Sequence, residues 1–119
     1  MSRLIRASVL PSAARNTSGS QELPIANDHG NVAVLLSVTA VTGTSPTLTC
    51  IVEDSADGTT WFPVKTASAI TAVGSYRIVV VGPADGPTQP RLRLRWTTGG
   101  TSPNFTFSVN AISRPRMGM

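Results

Sequence analysis

Apolar and polar residues alternate along five short stretches of this chain. They are Val34, Leu36 and Val38; Leu48, Cys50 and Val52; Tyr76, Ile78 and Val80; Leu92, Leu94 and Trp96; and Phe105, Phe107 and Val109. Side chains of a strand point to opposite faces in turn, so each stretch predicts a strand with one buried face. Val32 to Val41 is the longest, and it is apolar on both faces across Ala33 to Leu36, which predicts a central place in a sheet. Trp61 to Lys65 predicts a short strand interrupted by Pro63, its indole capping the core. Leu23-Pro24-Ile25 suits a short edge strand. Helix-period patterns are absent.

The segment Gly43-Thr44-Ser45-Pro46-Thr47-Leu48-Thr49 returns as Gly100-Thr101-Ser102-Pro103-Asn104-Phe105-Thr106. Each copy sits between two alternating runs, which is the signal of a hairpin. The reading is therefore two similar hairpins, Val34/Leu36/Val38 answered by Leu48/Cys50/Val52, and Leu92/Leu94/Trp96 answered by Phe105/Phe107/Val109. The ascending strands of the two copies are one residue out of phase, and Gly99-Gly100 is assigned the extra residue as a bulge. Further turns are expected at Asn27 to Asn31, at Asp54 to Thr60 and at Gly82 to Pro87. Seven or eight short strands with such turns predict an all-β antiparallel β-sandwich, jelly-roll or immunoglobulin-like, with a closed barrel as the structural alternative. A flexible N-terminal arm is assigned to residues 1–20, the sandwich to 21–113 and a basic tail to 114–119.

With 119 residues the chain suits one domain, and only 13% of them are charged, a balance that fits a β-rich fold. Cys50, the single cysteine, falls in a core stripe and is expected as a buried, inert thiol. No stretch has the length of a signal peptide or a membrane span, so synthesis in a host cytoplasm is expected. The net charge is +4, and nine of the ten basic residues are arginine, which suits planar, bidentate contacts at interfaces as much as a GC-rich genome.

Catalytic chemistry is not encoded in any recognisable form. His29, the single histidine, falls in a turn beside Asp28, and no Gly-x-Ser-x-Gly elbow is present, so an enzyme is not expected. Glu53, Asp54 and Asp57 cluster beside Gly58 but lack the spacing of a calcium loop, and no set of residues has zinc spacing; neither metal nor cofactor is assigned. Arg91, Arg93 and Arg95 alternate with Leu92, Leu94 and Trp96. Their guanidinium groups thus share one face, a basic stripe about 14 Å long. With only Thr106, Ser108 and Asn110 expected across the ladder, the stripe is read as docking on another chain, with a solvated outer face as the plain alternative. Arg3, Arg6 and Arg15 of the arm join it as candidate partner-binding residues. Nucleic acid fits the stripe poorly, for want of exposed aromatic rings to stack on bases.

The runs Val38-Thr39-Ala40-Val41-Thr42-Gly43-Thr44-Ser45-Pro46-Thr47-Leu48, Glu53-Asp54-Ser55-Ala56-Asp57-Gly58-Thr59-Thr60-Trp61 and Leu94-Arg95-Trp96, with Gly99 to Pro103, resemble small virion proteins of tailed bacteriophages over about residues 32–112. The resemblance implies a structural part of the particle, most specifically a decoration or cement protein in many copies on the capsid surface. Its partners would be the major capsid protein and neighbouring copies of itself. A head-to-tail connector or minor tail protein is the alternative within that class. Ser55 to Trp61 also resembles a turn and strand of discoidin-like lectin modules, which implies carbohydrate binding through Trp61 and Phe62.

Overall fold

The computed structural model describes residues 5–23, 31–81 and 91–114. These form six strands, β1 (Ile5–Arg15), β2 (Gly19–Glu22), β3 (Asn31–Ser55), β4 (Phe62–Thr66), β5 (Gly74–Val81) and β6 (Arg91–Arg114). All pairings are antiparallel, so the all-β antiparallel class holds.

The two expected hairpins do not form. Gly43 to Thr49 lies inside β3 and Gly100 to Thr106 lies inside β6, and the two strands pair with each other from Asn31↔Arg114 to Ser55↔Arg91. A straight strand of 25 residues would span roughly 80 Å, yet the longest dimension of the molecule is 49 Å. The paired ribbon therefore bends. Trp96 and Phe107 would stand roughly 36 Å apart on a straight strand, but their ring centroids are 5.8 Å apart in an edge-to-face contact.

The repeated motif makes that bend. Thr42 pairs with Asn104, Thr44 with Thr101 and Thr47 with Gly99. Gly43 thus stands opposite Ser102-Pro103, and Gly100 opposite Ser45-Pro46, two reciprocal bulges that turn the ribbon through a corner. The backbone agrees: Gly43 and Gly100 have φ of 116° and 99°, Ser45 and Ser102 of 49° and 50°. A Cβ on Gly43 would lie 2.6 Å from the Ser102 carbonyl oxygen, and one on Gly100 would lie 2.5 Å from that of Ser45. The two motifs are each other's packing partners. The phase difference has another source than Gly99-Gly100, because the register slips between Val38 and Ala40 and leaves Thr39 as the extra residue of β3.

Each long strand serves two layers. The N-terminal half of β3 and the C-terminal half of β6 lie between β5 and β1; their other halves lie between β4 and β2. The predicted core stripes are buried, apart from the partly buried Tyr76, but they meet between the layers instead of across hairpins. Val34, Leu36, Leu48, Cys50, Leu92, Leu94, Phe105 and Phe107 are each no more than 2% exposed, and they belong to one cluster. Burial pushes the Cys50 thiol up to about 12, which keeps it protonated and inert.

Residues 5–15 and 19–20, expected in a flexible arm, are paired along β6 in β1 and at the start of β2. Val9 and Leu10 pack on the core, and the Leu23 amide donates to the Leu92 carbonyl at 2.8 Å, which together anchor this segment. Pro11 falls where the β1 register slips, as suits a strand that pairs on one side. Arg3, the turn at residues 27–30 with Asp28 and His29, the loop at 82–87 and the tail beyond Arg114 lie outside the described residues. Among the described residues no helix is long and apolar enough to cross a membrane.

Candidate functional site

The arginine stripe lies on the outer face of the layer that contains β2, the first half of β6, the second half of β3, and β4. Because β6 is central there, Arg93 and Arg95 each have a cross-strand neighbour on both sides, and Arg91 has one on β3. On β3, Ser55, Glu53 and Ile51 stand opposite Arg91, Arg93 and Arg95; on β2, Glu22 stands opposite Arg93 and Ser20 opposite Arg95. The expected neighbours Thr106, Ser108 and Asn110 belong to the other layer, so the expected lack of acidic partners is corrected.

The Glu53 side chain is only 7% exposed and binds two arginines. Arg93 Nε donates to Oε1 at 2.7 Å and Arg95 Nε to Oε2 at 3.1 Å. Two guanidinium groups sharing one carboxylate answer both its desolvation and their own repulsion. Arg91 grips Glu22 bidentately, Nε to Oε2 at 2.9 Å and Nη2 to Oε1 at 2.6 Å. The bonds from Arg91 hold the Glu22 carboxyl below its ordinary range. Arg91 Nη1 also donates to the Asp57 carbonyl at 3.3 Å.

That carbonyl is positioned by a turn whose residue types explain its shape. Buried Ser55 Oγ accepts from the Asp57 and Gly58 amides at 3.2 and 2.8 Å, and Asp57 Oδ1 accepts from Thr59 and Thr60 at 2.8 and 2.9 Å. Bonds from Thr60, Thr59 and Ser55 lower the Asp57 carboxyl to about 2. Gly58 has φ 80°, and a Cβ there would lie 2.0 Å from Arg91 Nη1, so the turn needs glycine to seat the guanidinium.

Trp61, expected to cap the core, sits half-buried on this outer face instead. Its Nε1 donates to the Gly58 carbonyl at 3.2 Å, which draws the ring under Arg93, whose Cζ is 4.5 Å from the ring centroid. Phe62, at 52% exposed, is the freer of the two aromatic side chains. The stripe does carry an aromatic ring, but the guanidinium groups that would meet a phosphate backbone are already bonded within the chain.

Glu53 and Asp57 likewise spend their oxygens on arginines and on the turn. Among the described residues no group of three or more His, Cys, Asp or Glu is placed to hold a metal ion.

The arm arginines separate. Arg15 donates from Nη1 to the Phe107 carbonyl and, at 3.0 Å, to that of Ala13, and from Nη2 to that of Pro11 at 2.8 Å. Its Cζ is 4.4 Å from the Phe107 ring centroid and 6.0 Å from that of Trp96. This arginine seals the open edge of the core, and desolvation lowers its pKa. Arg6 stands opposite Ile112 in the β1–β6 ladder.

No protein-family model matches the chain, and no curated protein matches it. Among solved structures, it is similar to a chain from the structure of infectious bursal disease virus, Gx strain. The TM-score is 0.59 at 10% identity, over 98% of this chain and 33% of that one. This chain thus spans about a third of the length of that viral chain. It is also similar to a chain from Bacillus endospore appendages, described as disulfide-linked pili. There the TM-score is 0.55 at 15% identity, over 97% of this chain and 90% of that one. The shared property is the fold.

Proposed function

We propose that this chain is a non-enzymatic structural component of a virus particle. In its finer form the proposal is a decoration or cement protein on the outer shell of a tailed-phage head, present in many copies and docked on the major shell protein. The observation that supports it best is the fold likeness, over nearly the whole chain, to a chain from a virus structure. The sequence resemblance to small virion proteins points the same way. Charged groups on the arginine face are committed to tying the strands of their own layer and the turn together, a use of charge that suits a structural part.

The match to an endospore appendage chain of similar length favours a second reading, a subunit of a tail or filament. Covalent linkage through Cys50 would not serve it, since that thiol is fully buried.

The test is to purify particles from the producing host and measure this chain against the major shell protein by quantitative mass spectrometry, with antibody labelling by electron microscopy. A fixed ratio and label on the head surface are expected. Label confined to the tail would move the assignment to the second reading, and absence from particles would overturn both.

A further inference from the structure

The two layers present very different outer faces. On the layer of β1, β6, β3 and β5, outward positions place Val79, Ala33 and Ile112 side by side, with Val79↔Ala33 and Ala33↔Ile112 in register. The next row is Arg77, Leu35 and Asn110. Ala33, Leu35, Val79 and Ile112 are half-buried, while Arg77, Asn110, Ser37 and Ser75 are exposed. A shallow depression of about 390 Å³ opens here, floored by Leu35 and rimmed by Ser37, Ser75, Arg77 and Asn110. Among the described residues Arg77 has no ion-pair or hydrogen-bond partner, in contrast to the three arginines of the opposite face. Among the described residues, no acidic side chain stands on this face.

We propose that this face, and not the arginine stripe, is the docking surface, and that it receives an apolar, carboxylate-bearing segment of a different protein. The inference rests on the virion reading only for the identity of that protein. An apolar row explains burial on docking, and the Arg77 cation beside it calls for a carboxylate, with Asn110, Ser37 and Ser75 able to donate further hydrogen bonds to it. A second copy meeting the face by two-fold symmetry would bring only the same positively charged surface, without a described carboxylate, to Arg77, which disfavours self-association here.

The experiment compares wild type with Arg77→Glu, Leu35→Ser and, as a control on the other face, Arg91→Gln. Rebinding to purified particles that lack this chain is measured by co-sedimentation. Arg77→Glu should weaken attachment about tenfold or more, Leu35→Ser should weaken it, and Arg91→Gln should bind as wild type. Equal attachment of Arg77→Glu and wild type overturns the proposal. A parallel titration of isotope-labelled protein with the acetylated peptide Leu-Glu-Leu-Glu reads the surface without particles. Shifts should gather at Leu35, Ser37, Arg77 and Asn110 and vanish in Arg77→Glu. Shifts gathered at Arg91 to Arg95, or none, overturn the proposal, and so does a concentration-dependent dimer that Arg77→Glu abolishes. Failure of wild type to attach to particles, with the peptide shifts present, removes the virion reading alone.

Discussion

The outer face built on Arg91, Arg93 and Arg95 has three guanidinium groups and little charge to offer, whereas on the opposite face Arg77 has no described carboxylate beside it and its charge is open to a partner. Glu53 and Glu22 account for the difference. Each lies on a strand beside β6, and together they neutralise two of the three positive charges where they stand. A run of arginines is therefore no measure of available charge when the strand bearing it is central, because such a strand has neighbours on both sides.

The strongest way to break the contrast is to remove the corner that creates two faces at all. Phe107→Ala should cost about 3 to 5 kcal/mol, since Phe107 is fully buried and packs against Trp96 and Arg15. Gly43→Ala and Gly100→Ala should each cost about 3 kcal/mol or more, because the added methyl meets backbone at a φ that alanine avoids. Denaturant unfolding measures all three. A large loss for one glycine variant and none for the other would contradict the reciprocal corner.

The same corner shows what the sequence conveyed and what it did not. Alternation is local, so every core stripe was readable, from Val34 to Val109. Pairing is not local: a Gly-Thr-Ser-Pro segment between two strands reads as a hairpin turn, and only the positive φ at Gly43, Ser45, Gly100 and Ser102 reveals a kink within a continuing strand. The mistaken hairpin then placed Thr106, Ser108 and Asn110 beside the arginines and hid Glu53. Trp61 was misplaced for a similar reason, since its anchor on Gly58 depends on how the Ser55 to Thr60 turn closes. The alternation of Tyr76, Ile78 and Val80 turns Arg77 outward, but its significance depends on which neighbours lack a carboxylate, a property of the folded face.

A smaller effect sharpens the contrast through pH. The folded-state carboxyls of Asp57 and Glu22 lie below their ordinary values, Asp57 at about 2. A depressed carboxyl contributes stability above its unfolded pKa of about 4, and that contribution is lost as pH falls toward the folded value. Thermal stability should hold from neutral pH to about 5 and decline between about pH 4 and 2. Asp57→Asn should flatten part of that decline, and an unchanged acid profile in this variant would contradict the role of the turn.

Thermal unfolding of the Arg93→Gln/Arg95→Gln double variant, with and without Glu53→Gln, bears most directly on the claim that the arginine face is spent within the fold. The double variant leaves a nearly buried carboxylate without a cation. Its cost should be about 2 to 4 kcal/mol, below that of a fully buried pair because the arginines are partly exposed. Adding Glu53→Gln removes the stranded charge and should restore most of the loss. A double variant as stable as the wild type would contradict the account and return the stripe to service as a free docking surface.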